Sequence, residues 1–409
     1  MSIHSDSRSE AATAAPRPDA RGLGPFVLKR LLSCLDAGAL TVVMPSGTRF
    51  EHRAAKPGPQ ATLVLHDWRA FRRFAARGEV GFAEAYMAGE WTTPDLTALI
   101  ELAATNVAKL EDALAGVLPV RIFRRLKHLL RSNTKVGSRR NIAFHYDLGN
   151  DFYRPWLDPS MTYSSALYQS PNATLEAAQE AKLHRIVDLL DLGSGDKRVL
   201  EIGCGWGALA ARIARTGAHV TGLTLSTEQL GRANALMVEQ GVHEQVDLRL
   251  QDYRDVTGTF DRIVSIEMLE AVGEQYWPIY FQTLKDRLAP GGIAVLQVIT
   301  IDEPRFEGYR RSPDFIQHYV FPGGMLPTKT IMTEQAERAG LELVSRDCFG
   351  ASYALTLAEW HRRFQAAWPQ VEALGFNSNF RRLWEYYLSY CEAGFRTGVI
   401  DVGLYVLKA

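Results

Sequence analysis

VLEIGCGWGALA, residues 199–210, is the stretch that decides the fold. Val199 to Ile202 reads as a buried strand and Trp206 onward as a helix, with glycine at 203, 205 and 207 between them. The pattern is not G-x-G-x-x-G, so the dinucleotide fingerprint is not met. Any tight strand-to-helix turn favours glycine where φ is positive. Three alternating glycines in the first strand–helix unit point further, to a ligand approached closely by backbone. Glu201 stands just ahead of the turn, where an acid suits a cationic group. S-adenosylmethionine carries an ammonium and a sulfonium and no phosphate, and so matches this turn.

Outward from the turn, the chain alternates. LEAAQEAKLHRIVDLLDL (175–192) is an amphipathic helix, and AHVTGLTL (218–225) is the next strand. STEQLGRANALMVEQ (226–240) is a helix, and VDLRLQD, FDRIVSI and GGIAVLQVIT are further strands. The tail from 379 to 409 reads as a helix followed by a terminal strand. Strand–helix alternation means a doubly wound α/β sheet covered on both faces, with ligands at the carboxyl ends of its strands. At those ends stand Thr224, Ser226 and Gln229 for ribose hydroxyls, with Glu228 as an alternative, and Asp252 for an adenine amino group. Ser226 also reads as a helix N-cap.

The bulk numbers constrain the partners. The 409 residues fit one large or two ordinary domains, and 46% hydrophobic with 22% charged residues is a globular composition. Lys+Arg and Asp+Glu both number 46, so any electrostatic message is local. Cys34, Cys204, Cys348 and Cys391 have no metal spacing and read as reduced thiols; no metal site is expected. No stretch reaches the roughly 18–20 apolar residues of a membrane span. Residues 1–22 have the composition of a disordered tail without a secretory signal. Residues 23–118 read as a first folded α/β region: short strands around a Pro-Ser-Gly turn, then helices broken at Gly78 and Pro94. Residues 119–140 follow as a basic amphipathic linker, with eight Lys/Arg and no acid between Arg121 and Arg140. Such a segment suits anionic lipid headgroups or a solvated linker helix. No nucleic-acid recognition motif accompanies it. The remaining domain runs from 141 to 409.

HYDLGNDFYRPWLDPSMTYSSALY (145–168), the glycine turn, GLTLSTEQ (222–229), FDRIVSIEMLEAVG (260–273), YVFPGGMLP (319–327) and FGASYALTLAEW (349–360) together resemble the cyclopropane-fatty-acyl-phospholipid synthases. The resemblance runs in order from about 140 to 409 and is weaker before that. It implies a class I methyltransferase fold using S-adenosylmethionine, with a smaller N-terminal α/β domain. The substrate it implies is the unsaturated acyl chain of a membrane phospholipid. Cofactor contacts carry over to Tyr163, Ser164, Gly203, Gly205, Thr224, Leu225, Ser226, Gln229, Tyr253 and Arg254, and the stretch from His145 and Tyr146 is implied to lie over the cofactor. The residues themselves add Glu201, Gly207 and Asp252. The expected enzyme is cytoplasmic, peripheral on the inner membrane and held by an anionic surface; a homodimer is left open.

The chemistry narrows the catalytic residues. Alkene π electrons take the sulfonium methyl, and the resulting cation must lose a proton. Loss from the new methyl closes a cyclopropane; loss from a chain carbon leaves a methyl-branched alkene. The resemblance implies a bicarbonate base held by a cysteine, a glutamate, a histidine, an isoleucine backbone and a tyrosine. Glu270, Ile299 and Tyr353 match, whereas Ser165 stands at the cysteine position and Gln297 at the histidine position. Ala271 replaces a histidine that is frequent after the glutamate. Ser165 and Gln297 still donate hydrogen bonds to an anion. Two readings therefore stay open, a retained bicarbonate site and a changed product. Glu267, three residues before Glu270, reads either as a second carboxylate or as a cap of the next helix. Phe380, Trp384, Tyr387 and Cys391 share one helical stripe, suited to core packing first and to lining an acyl tunnel second.

Overall fold

The computed structural model describes residues 32–107, 109, 148–193 and 196–409. The basic linker and the His145–Tyr146 pair lie outside these residues.

The N-terminal strands β1 (Ala37–Val43), β2 (Arg49–Arg53) and β3 (Lys56–Leu65) and the two-residue β4 (Trp91–Thr92) form a sheet in the order β2-β1-β3-β4. The Pro45-Ser46-Gly47 turn joins β1 to β2, closed by Met44 N–H donating to Thr48 O (2.8 Å). Helix α1 (Arg69–Met87) is kinked at Gly78, whose φ of 58° breaks the helical path. Helix α2 (Leu96–Thr105) starts after the expected break, with Asp95 accepting from Ala98 N–H as its cap (2.9 Å).

The larger sheet has the order β10-β11-β9-β8-β5-β6-β7. Its parallel strands are β5 (Arg198–Ile202), β6 (His219–Thr224), β7 (Val246–Leu250), β8 (Phe260–Ile266) and β9 (Leu288–Ile301). β11 (Ile400–Lys408) inserts antiparallel between β9 and β10 (Glu342–Cys348). Helices α3 (Leu175–Leu190), α4 (Ala208–Ala214), α5 (Thr227–Glu239) and α6 (Trp277–Arg287) connect or flank these strands. Between β9 and β10 come α7 (Glu303–Arg311), α8 (Phe315–Tyr319) and α9 (Lys329–Arg338). Two long helices, α10 (Gly350–Ala373) and α11 (Ser378–Arg396), precede β11. The strand order reverses at β5, with β6 on one side and β8 on the other. A doubly wound sheet opens its ligand crevice at such a point.

One hydrophobic core joins the small sheet to α10 and α11. Val42, Leu65, Trp91 and Ile100 share it with Trp360, Phe364, Trp384 and Leu388. Phe152, Trp156 and Trp384 meet edge to face within it, at interplanar angles of 70°, 90° and 65°, the geometry that aromatic quadrupoles favour. Polar contacts follow the same seam: Tyr86 OH donates to Glu385 (3.2 Å) and Thr97 Oγ1 to Glu392 (3.1 Å). Helix α11 therefore packs against the N-terminal helices α1 and α2 and also reaches β11 of the larger sheet.

Candidate active site

The site begins at the end of β5. Gly203 and Cys204 both donate backbone N–H bonds to Leu223 O (2.9 and 2.8 Å), which ties the turn to β6. Gly205 has φ 54°, and a Cβ there would meet nothing within 4 Å, so bare backbone faces the cavity. Gly207 does something else. At φ 90° a Cβ would lie 2.8 Å from Met237 Cε and 3.1 Å from Ala233 Cβ, so its glycine allows α4 to close on α5.

Glu201, next to last in β5, is 3% exposed, and its Oε2 has no hydrogen-bond partner among the described residues. Burial pushes its carboxyl up to about 8, opposed by the charge of Lys182. An acid held in this state beside a bare glycine turn is a seat for a cation. On that ground the residues present fit the amino-acid end of S-adenosylmethionine. Lys182 itself is buried on α3 and donates to Ser164 Oγ (2.7 Å). Burial pushes its amine down to about 8 against the pull of Glu267, Asp158 and Glu201. The sequence reading passed over Lys182. Its signal was positional: Leu175, Ala178, Gln179, Lys182, Leu183, Ile186 and Leu190 form the buried face of α3, and a lysine on that face needs partners.

At the end of β6, Thr224 Oγ1 donates to Gln229 Oε1 (2.8 Å), and both line the cavity with Leu225. Ser226 accepts from Gln229 N–H (3.3 Å) as the N-cap of α5, so its hydroxyl is spent locally. After β7, Asp252 receives Arg254 through Nε (2.8 Å) and a second nitrogen (2.6 Å). Tyr253 lines the cavity, while the Asp252–Arg254 ion pair stands behind it. Tyr163, also on the wall, shares a hydroxyl–hydroxyl bond of 2.8 Å with Tyr387 of α11.

The two glutamates after β8 form the second half of the site. Glu267 has φ 51°, a left-handed backbone that is rare without glycine. Its N–H donates to Gln297 O (2.8 Å), and three donors converge on its carboxylate. They are Ser165 N–H (2.8 Å), Gln297 Nε2 (2.6 Å) and Tyr353 OH (2.6 Å). Glu270 takes Ile299 N–H at 2.5 Å, and its Oε2 has no partner among the described residues. Burial, then the neighbouring Glu267 charge, pushes Glu270 up to about 8. Burial also raises Glu267, opposed in turn by Tyr353, Ser165, Lys182 and Gln297. At neutral pH the charge of the pair therefore belongs on Glu267, where three donors hold it, and the proton on Glu270.

The sequence expectation gathered Glu270, Ile299, Tyr353, Ser165 and Gln297 around one bicarbonate ion. In the structure Ile299 N–H meets the Glu270 carboxyl, whereas Ser165 N–H, Gln297 and Tyr353 meet Glu267. Ser165 contributes its backbone, because its hydroxyl donates to Ala166 O (2.9 Å). The reason is register: Gln297 lies opposite Ile266 across β8–β9, one residue before Glu267. Beyond the acids, the cavity continues along Tyr387, Cys391 and Phe395 of α11 to Leu40, Val42 and Leu63 of the N-terminal sheet. In the predicted stripe, Trp384 is packed in the core while Tyr387 and Cys391 face the cavity. The stripe thus packs the core at one position and lines the cavity at two others.

With this geometry in place, relatives are informative. The family model described as mycolic acid cyclopropane synthetase matches residues 133–404. Tuberculostearic acid methyltransferase UfaA1 of Mycobacterium tuberculosis is 39% identical over 358 residues, covering 85% of this chain and 83% of the relative. The cyclopropane-fatty-acyl-phospholipid synthase of Escherichia coli is 34% identical over 347 residues, covering 81% and 84%. The crystal structure of mycolic acid cyclopropane synthase CmaA1 with SAH and CTAB superposes with a TM-score of 0.62 at 32% identity, covering 66% of this chain and 98% of that one.

Proposed function

The chain belongs to the mycolic acid cyclopropane synthetase family and is an S-adenosylmethionine-dependent C-methyltransferase, and from that premise we propose that its acceptor is the double bond of an unsaturated fatty acyl chain in a membrane phospholipid. The product is a cyclopropane or a methyl-branched chain. One observation carries this reading: the cavity that holds Glu267 and Glu270 runs on along an apolar and aromatic wall to the N-terminal sheet. A chain-shaped, unreactive substrate needs such a dry wall, and a polar small molecule does not.

When bound, the cofactor supplies an electrophilic methyl on sulfur. Glu201, Gly203, Gly205, Thr224, Leu225, Gln229 and Tyr253 would hold it at the carboxyl edge of the sheet, together with Tyr163 and Ser164, which line the same cavity. Gly207, Ser226, Asp252 and Arg254 shape that binding edge through backbone and ion-pair contacts. Glu270, Ile299 and Tyr353 line the cavity beside Glu267, with Gln297 and Ser165 buried behind them. In this reading, residues 23–118 associate with lipid and the basic run 121–140 meets anionic headgroups of the cytoplasmic face of the inner membrane. No helix among the described residues is long and apolar enough to cross a membrane, which suits a peripheral attachment.

The test is transfer of a radiolabelled methyl to vesicles. Label should enter the acyl chains of monounsaturated phosphatidylglycerol and not those of its saturated counterpart. Neutralising the charges between Arg121 and Arg140 should reduce both vesicle binding and transfer. Equal labelling of a soluble acceptor, with none in lipid, would overturn the reading.

A further inference from the structure

We propose that Glu267 is the general base of this reaction, a carboxylate fixed in the chain at the point where a separate carbonate anion would otherwise be held, so that turnover needs no added bicarbonate. The proposal rests on the acyl-chain reading above and specifies how its last step is completed.

Three donors from three parts of the fold meet on this one side chain. Ser165 N–H comes from the segment before α3, Gln297 Nε2 from β9 and Tyr353 OH from α10, all within 2.8 Å of a Glu267 oxygen. The remaining expected donor, Ile299 N–H, is taken by Glu270. Gln297, Tyr353, Ile299 and the Ser165 backbone are therefore engaged by carboxylates of the chain itself, and the Ser165 hydroxyl is turned to Ala166 O. A second anion beside Glu267 would meet a like charge in a buried, weakly screened setting. The backbone supports the same assignment. A glutamate at φ 51° costs roughly 1–2 kcal/mol relative to the ordinary helical region, a cost glycine would not incur. The chain bears that strain and thereby holds this carboxylate at the carboxyl end of β8. Lys182, already bonded to Ser164, adds a buried positive charge to the surroundings of Glu267.

The step balances without an outside reagent. The alkene π pair forms the new carbon–carbon bond to the methyl, whose bond to sulfur breaks with both electrons left on sulfur. The resulting cation loses one proton. Its C–H pair becomes either the third ring bond or a new double bond, and the proton passes to a Glu267 oxygen. Glu270, carrying its own proton, keeps a second negative charge out of the pocket. Tyr353 and Gln297 hold the accepting oxygens in place and are positioning residues.

The test uses the full-length enzyme, monounsaturated phosphatidylglycerol vesicles and carbonate-free buffer, with and without added bicarbonate. Wild-type rate should change less than twofold on addition. E267Q should lose about a hundredfold or more in kcat, the usual range for a general base, while binding S-adenosylhomocysteine as wild type does by calorimetry. E267G empties the donor set without backbone strain, so bicarbonate or formate should restore at least tenfold of the lost rate. The acid limb of the rescued pH profile should then follow the added anion. Wild-type activity that disappears without bicarbonate, or E267Q with wild-type kcat, would overturn the assignment of Glu267 alone. A wild-type enzyme that methylates neither phospholipid nor free monounsaturated acid would overturn the substrate reading and this proposal with it.

Discussion

Raising the pH should destabilise the ligand-free protein, and Glu270 should account for much of the slope. In the unfolded chain this carboxyl ionises near 4.5, whereas burial and the Glu267 charge hold it protonated in the folded state up to about 8. Between those values the folded state keeps a proton that the unfolded state has released, so stability falls as pH rises. Each pH unit in the window costs about 1.4 kcal/mol, on the order of 5 kcal/mol across it. The contribution is complete below pH 4.5 and gone above about 8. Glu201 acts in the same direction over the same window. Lys182 acts oppositely: its amine is pushed down to about 8, so stability is regained as pH rises beyond that value. Urea unfolding at pH 5, 6, 7 and 8 measures the slope directly. E270Q mimics the protonated carboxyl and still accepts from Ile299 N–H. It should match wild type at pH 5 and exceed it by a few kcal/mol at pH 8. Parallel curves for the two proteins would show that Glu270 ionises freely in the folded state and would refute the reasoning.

Three further outcomes follow from the packing. E201Q removes a carboxyl that can give up its proton to pair with the cofactor's ammonium, and should weaken S-adenosylhomocysteine binding by about 10- to 100-fold in calorimetry, the range for a lost charge-assisted contact. G207V drives a side chain into Met237 and Ala233 at a left-handed backbone and should cost about 2–4 kcal/mol in urea unfolding. W384A hollows the core shared by Phe152, Tyr153, Trp156 and Phe380, and should cost about 3–5 kcal/mol, read as a lower urea midpoint.

What the sequence disclosed was local. The glycine turn, the strands from Val199 to Thr300 and the Gly78 break all announce themselves within a dozen residues, because periodicity and φ preference are short-range properties. β10 does not: six of its seven residues are exposed, so no apolar alternation marks it. The acid pair was legible as two residues and illegible as a site. Spacing of i, i+3 says nothing of a left-handed residue at 267. Nor does it reveal that β9 sets Gln297 beside it, or that α10 delivers Tyr353 from 86 positions away. Lys182 was hidden for a similar reason, since a lysine on a helix reads as solvent-facing until Glu201 and Glu267 are placed around it.

The left-handed glutamate also has a consequence for engineering. At position 267 the backbone favours one residue and the reaction another. Glycine would relax the turn and lift a buried carboxylate out of the ledger of titrating groups, while removing the proton acceptor. It would also leave Ser165 N–H, Gln297 Nε2 and Tyr353 OH buried without an acceptor, at about 1–3 kcal/mol each, more than the relaxed backbone returns. A library screened for heat resistance alone should therefore retain an acceptor side chain at this codon, glutamine as readily as glutamate, and only an activity screen separates the two.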